Sequence, residues 1–175
     1  MNPLTDEQQL IQACLKRERY AQKELYDRYK DAMFTIARRI SSNPDDASDA
    51  LQDSFVQIFR DLHQYTGQST LGAWIKTIVI RTSLRNLRMT PPTESMEVVS
   101  ANEAMEWPEG MDGEYLQKAI DSLPAGYRVA FLLTEVEGYS HKEVSEMLGI
   151  SVGTSKSQLS RAKRLLQHKL KLLIQ

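Results

Sequence analysis

The stretch SHKEVSEMLGISVGTSKSQLSRAKRLLQ, Ser140 to Gln167, constrains the fold more than any other part of the chain. Ser140 and Glu143 form S-x-x-E, in which serine and glutamate side chains each serve a backbone N–H that the first helical turn leaves unpaired. Val144, Met147 and Leu148 follow at helical spacing and predict the inward face of a short helix. Gly149 suits the left-handed position that ends it. Ser151 can cap a second helix. There Val152, Leu159, Ala162, Leu166, Leu170 and Leu173 recur at helical spacing and are expected to face a core. Lys156, Ser157, Gln158, Arg161, Lys163 and Arg164 are left largely outside. No strand pattern fits this stretch, so the C-terminal part of the chain is expected to be all-α.

A helix of about ten residues, a glycine turn and a second helix with small polar residues at its start form the helix-turn-helix layout. Small residues there let the backbone approach a major groove, and Arg or Lys then reach base edges or phosphates. A basic helix alone is equally well explained as a solvated face. The capped first helix and the glycine turn tilt this one towards duplex DNA.

Charge supports a division of labour. The chain of 175 residues has a formal net charge of −1, which by itself does not describe a nucleic-acid binder. Yet from Val152 to Gln175 there are six basic residues and no acid, while residues 90–120 hold seven acids and one base. Residues 90–113, TPPTESMEVVSANEAMEWPEGMDG, are rich in Pro, Glu and Ser and lack periodicity, so they read as a flexible acidic linker. The expected architecture is two small helical domains, 1–89 and 114–175, joined by that linker.

The N-terminal half also reads helical. Thr5 begins T-D-E-Q, a capping-box pattern. Leu10, Cys14, Leu25, Tyr29, Met33, Ile36 and Ile40 recur at spacings a helix brings together. Asn43-Pro44 reads as an N-cap followed by proline at the first helical position, with Asp45 and Asp46 where the helix dipole favours acids. Ala47, Leu51, Phe55, Ile58 and Leu62 make one face of that helix; Asp46, Asp49, Gln52 and Asp53 lie opposite. A further helix is expected over Leu71 to Arg88. Arg81, Arg85 and Arg88 share one of its sides, and Tyr65 and Trp74 stand nearby in sequence. Basic residues beside aromatics suit single-stranded nucleic acid, where charge tracks the backbone and rings stack on bases. Each feature alone also fits an ordinary helical bundle.

Together these segments resemble the extracytoplasmic-function sigma factors of the sigma-70 family, in the right order and over nearly the whole chain. ELYDRYKDAMFTIARRI resembles that family's first helices and DASDALQDSFVQIF its acidic helix. YTGQSTLGAWIKTIVIRTSLRNLR is similar to its "FxGxSxFxxWLxxIAxNxxxDxxR" segment. SLPAGYRVAFLLTEVEGYSHKEVSEMLGISVGTSKSQLSRAKRLL is similar to its C-terminal domain. The chain departs from the pattern at Arg81 and Arg85, where Asn and Asp are usual. It departs again in GTSKSQL, where Ser155 and Gln158 stand for Val and Arg.

The resemblance implies a dissociable subunit of bacterial RNA polymerase that needs no cofactor and catalyses nothing itself. It implies that Asp49, Gln52 and Asp53 contact the clamp helices of the core enzyme's β′ subunit. The loop Tyr65–Thr70 and the following helix would hold the −10 non-template strand, through Tyr65, Ser69, Trp74, Lys76, Arg81, Arg85 and Arg88. Ser151, Gly153, Thr154, Lys156, Ser157, Gln158, Arg161 and Arg164 would face the −35 duplex of promoter DNA. An anti-sigma factor is the expected regulator, and the acidic linker would run through channels that RNA later occupies.

Two other readings stay open. One is a helix-turn-helix regulator that binds duplex DNA without polymerase; the other is an all-α adaptor, such as an anti-sigma partner, without salt-sensitive promoter binding. An enzyme is disfavoured: His63, His141 and His168 are spread out, Cys14 stands alone, and no metal-ligand or nucleophile–base pattern appears. No apolar run reaches membrane-span length and the N-terminus lacks signal-peptide features, so a cytoplasmic protein without membrane insertion is expected.

Overall fold

Asn43 and Pro44 start the helix that organises the N-terminal half. In the computed structural model, which describes residues 6–87 and 112–173, Asn43 Oδ1 accepts from the backbone N–H groups of Asp45 at 2.8 Å and Asp46 at 3.3 Å. Proline at the first position loses no hydrogen bond, because that N–H has no partner within a helix. This helix, α3, runs Pro44–Asp61. Before it come α1, Glu7–Leu15, and α2, Arg19–Ser41; after it comes α4, Leu71–Leu87. Helix α1 begins one residue later than the T-D-E-Q pattern places it. Its cap is Asp6, whose Oδ1 accepts from Gln8 N at 3.0 Å, and Thr5 lies outside the described residues.

Helices α2, α3 and α4 pack against one another and α1 lies on α2. Leu10, Leu25, Ile40, Ile58, Leu62, Leu71, Ile75 and Ile80 are fully buried between them. Burying each such side chain contributes about 1.5–3 kcal/mol before the entropy of ordering it is counted. The expected stripe on α3, Ala47, Leu51, Phe55 and Ile58, is buried throughout. Tyr29 is only half-buried.

The second half opens with α5, Gly113–Asp121, capped by Asp112. Gly113, read as the last linker residue, is therefore helical; residues 90–111 of the expected linker lie outside the described residues. Helix α6, Ala125–Phe131, follows Pro124. Arg128, 5 % exposed, points back and donates from Nη1 to the Leu123 carbonyl at 3.0 Å. At Leu132–Val136 the helix widens into a π turn, with Glu137 N reaching Leu132 O at 2.9 Å. Helices α7, His141–Leu148, and α8, Val152–Leu173, complete the half, and α5, α6 and α7 all pack on α8.

The chain divides into two compact units, Met1–Met89 and Thr90–Gln175. Among the described residues there is no strand, so the all-α expectation holds.

Candidate functional site

Helix α3 carries a solvent face of acids. Asp49, Gln52 and Asp53 are exposed, while Ala47, Ala50, Leu51, Ser54, Phe55 and Ile58 turn inward. Positions three and four apart share a side of a helix, so the polar three form one patch. Val56 continues that patch at 68 % exposure. Sequence reading passed over Val56. Its signal was an apolar residue out of phase with the buried stripe. Acids around one uncovered valine suit a basic protein surface with an apolar recess.

The segment from Tyr65 to Thr70 is an exposed loop closed by its own side chains. Tyr65 Oη donates to the Ser69 carbonyl at 2.6 Å, and Gly67 supplies the left-handed residue at φ 77°. The Tyr65 ring lies 5.6 Å from Trp74, tilted by 53°, a separation typical of interacting aromatics. Thr70 Oγ1 accepts from Ala73 N at 3.2 Å and so caps α4. Arg81 and Arg85 are exposed further along α4; Trp74 and Lys76 are half-buried. Arg88 lies outside the described residues. This region therefore presents two aromatic rings and a bent loop at the start of α4, with guanidinium groups further along that helix. Such a surface can stack an unpaired base and track phosphates.

In the second unit the S-x-x-E box forms in full. Ser140 N donates to Glu143 Oε2 at 2.8 Å and Glu143 N to Ser140 Oγ at 3.2 Å. Gly149 takes φ 66° at the end of α7. Ser151 Oγ then accepts from Thr154 N at 3.0 Å and opens α8. Ser151, Gly153, Thr154, Lys156, Ser157 and Arg161 are exposed, and Arg164 is half-buried.

Two residues of α8, Val152 and Gln158, differ from expectation, and Ser155 joins the core. Val152 is 39 % exposed rather than in the core, because the helix begins there and its inward face starts one turn later, at Ser155. Ser155 is fully buried, and its Oγ lies 2.9 Å from Nδ1 of His141 on α7. A hydroxyl at a core position needs such a partner, since an unpaired one costs roughly 1–3 kcal/mol. Gln158 does not stand outside with the basic residues. Its side chain folds back on α6, where a Cβ added to Gly126 would meet Nε2 at 3.3 Å, and its carbonyl oxygen is buried without a hydrogen-bond partner. The absent Cβ of Gly126 leaves room for this inward path. The Leu173 side chain lies outside the described residues.

The capping box has a pH consequence. The backbone N–H and the hydroxyl of Ser140 hold the Glu143 carboxyl below its ordinary value of 4.5. A lowered folded-state value means a contribution present above 4.5 and lost as pH falls through the lowered one. Glu143→Gln is expected to flatten the acid limb of the C-terminal unit's stability. Urea midpoints followed through an acid titration check this, and parallel curves for variant and wild type refute it.

Among the described residues no three or more His, Cys, Asp or Glu group to hold a metal ion, and no helix is long and apolar enough to cross a membrane.

Two family models match the chain in order: Sigma-70 region 2 over residues 25–90, and Sigma-70, region 4 over residues 113–166. The chain is 31 % identical over 153 residues to the ECF RNA polymerase sigma factor SigE of Mycolicibacterium smegmatis. That alignment covers 82 % of this chain and 59 % of that protein. It is 29 % identical over 160 residues to the ECF RNA polymerase sigma factor SigM of Mycobacterium tuberculosis, covering 89 % and 80 %. The ECF RNA polymerase sigma-E factor of Haemophilus influenzae is 25 % identical, with 98 % of each chain covered. Among solved structures, the sigma factor RpoE in complex with the anti-sigma factor NepR, from Bartonella quintana, superposes with a TM-score of 0.56. It is 26 % identical, with 85 % of this chain and 96 % of that one covered.

Proposed function

The chain belongs to the extracytoplasmic-function branch of the sigma-70 family, and on that premise we propose that it is a specificity subunit of bacterial RNA polymerase. It binds the core enzyme and directs transcription initiation through the −10 and −35 promoter elements. The observation that carries this reading is the order of the two matched regions, one on each compact unit. In it, region 2 spans residues 1–89 and region 4 residues 114–175.

Asp49, Gln52 and Asp53 dock the clamp helices of the β′ subunit, with Val56 in the same patch. The Tyr65–Thr70 loop, Trp74, Lys76, Arg81, Arg85 and Arg88 hold the −10 non-template strand. Losing DNA stacking costs about 1.4 kcal/mol per base-pair step. Stacking one base on an aromatic ring returns about 1–3 kcal/mol, so a captured base offsets a step or two. The exposed start of α8, from Ser151 to Arg161, together with Arg164, reads the −35 duplex. Gln158 acts there indirectly, through its packing on Gly126. Two modest readers on one chain combine through a high effective concentration.

The protein is cytoplasmic and answers to an anti-sigma factor, in line with the RpoE–NepR complex. It is not itself an enzyme. The one thiol, Cys14, is 4 % exposed, and burial, with Glu24 and Glu18 adding to it, pushes it up to about 11. A thiol that stays protonated is a poor nucleophile.

Gel filtration of the chain mixed with core RNA polymerase, followed by transcription from a genomic promoter library, tests the reading. Co-elution together with transcripts that depend on the added chain is the expected result. Duplex binding without co-elution would leave a free-standing DNA-binding regulator instead.

A further inference from the structure

The strand-capturing loop does not stand alone on α4. Gly72, in the first turn of that helix, faces Tyr29 of α2: a Cβ built on Gly72 would stand 3.2 Å from Tyr29 Cε1 and 4.0 Å from its hydroxyl. A contact of 3.2 Å is tighter than most real Cβ contacts, so the tyrosine ring occupies the room that a side chain at position 72 would need. The other end of the ring is also held. Tyr29 Oη lies 3.4 Å from Glu7 Oε2 on α1, and α1 packs on the short turn Leu62–Gln64 that leads into the loop. Burial first, and then the Glu7 carboxylate, push the Tyr29 phenol up, and Tyr65 lies near enough to add to that shift. Tyr65 in turn closes the loop through Ser69 and lies against Trp74.

We propose that Tyr29 is a positioning residue for the −10 strand site. Held between Glu7 and the bare backbone of Gly72, its ring sets where the first turn of α4 stands, and with it the aromatic pair Tyr65–Trp74. This rests on the reading of the Tyr65–Thr70 loop as the single-strand site. Gly72 is the other half of the device. Its bare backbone lets the ring lie against α4, and a Cβ there would require the Tyr29 ring to give by a few tenths of an ångström. Tyr29 itself touches no DNA in this scheme.

The experiment uses the holoenzyme, assembled from the full chain and core polymerase. The probe is fluorescein-labelled single-stranded DNA of randomised sequence, read by anisotropy and by sequencing the bound fraction. Gly72→Ala and Tyr29→Leu are each expected to weaken binding by about tenfold, the equivalent of one lost base stack. Both are expected to flatten the base preference at one position while co-elution with core stays unchanged. Their combined loss is expected to fall short of the product of the two, because both act at one contact. Tyr29→Phe keeps the ring and drops only the long bond to Glu7, so it is expected to bind close to wild type.

Wild-type binding and base preference in both Gly72→Ala and Tyr29→Leu would overturn the proposal. So would loss of core binding in parallel with loss of DNA binding, which would make Tyr29 a structural residue and nothing more. Tyr65→Ala separates the underlying reading. If wild type and Tyr65→Ala bind single strands alike, the loop is not the strand site, and the reading falls along with the proposal.

Discussion

Asp53→Arg is expected to abolish co-elution with core RNA polymerase while leaving the chain folded. Asp53 is exposed on α3 beside Asp49, Gln52 and Val56, and it carries no core contact that the substitution would break. Reversal does more than remove an attraction. If the acid patch is the proposed docking face, it sets a cation against a basic surface, and like charges opposed across an interface cost several kcal/mol. The expected loss is more than about a hundredfold in affinity, since each 1.4 kcal/mol is tenfold. Circular dichroism confirms the fold, and gel filtration reads the complex. Co-elution of the variant at wild-type levels would move the docking face elsewhere on the chain.

The second large effect is on stability. Leu166 is fully buried on α8, the helix against which α5, α6 and α7 pack. Leu166→Ala is expected to cost about 2–5 kcal/mol, the transfer term plus the cavity left behind. Small domains hold only about 5–15 kcal/mol in all, so the C-terminal unit would lose a large share of its stability. Urea denaturation followed by helical signal measures the loss. Duplex binding in gel shift should fall with it, while single-strand binding by the holoenzyme persists. A cost under about 1 kcal/mol would mean that the surrounding helices collapse onto the vacated space.

Much of this was legible in residues whose effect is local. Asn43-Pro44, Ser140/Glu143 and Gly149 each act within a single turn of backbone, so their spacing alone predicts what they do. The buried stripe on α3 follows from helical periodicity for the same reason. What escaped depends on neighbours distant in the chain. Ser155 reads only as a serine where valine is usual until His141 is seen to meet it 14 positions away. Gln158 reads as a groove residue until Gly126 is seen to leave room for it. Gly72 reads as an indifferent helix glycine until Tyr29 is seen against it. In each case the deciding fact is a pair, and a single sequence gives only its halves. The Thr5 cap failed differently: Asp6 is an equally good N-cap, and one residue of register is beyond what pattern can resolve.

Helix α8 spans 22 residues, about 33 Å at 1.5 Å per residue. In the proposed reading its first two turns are the end that meets the −35 duplex, and the remainder is the shaft against which α5, α6 and α7 pack. Shaft and tip are one continuous rod without a joint. A repacking at Leu166 or Leu170 that tilts the shaft by a few degrees therefore swings the tip sideways, as a lever does. Promoter choice in such a protein can drift through substitutions that never approach a base, and a lineage can retune its target genes from the inside of the molecule.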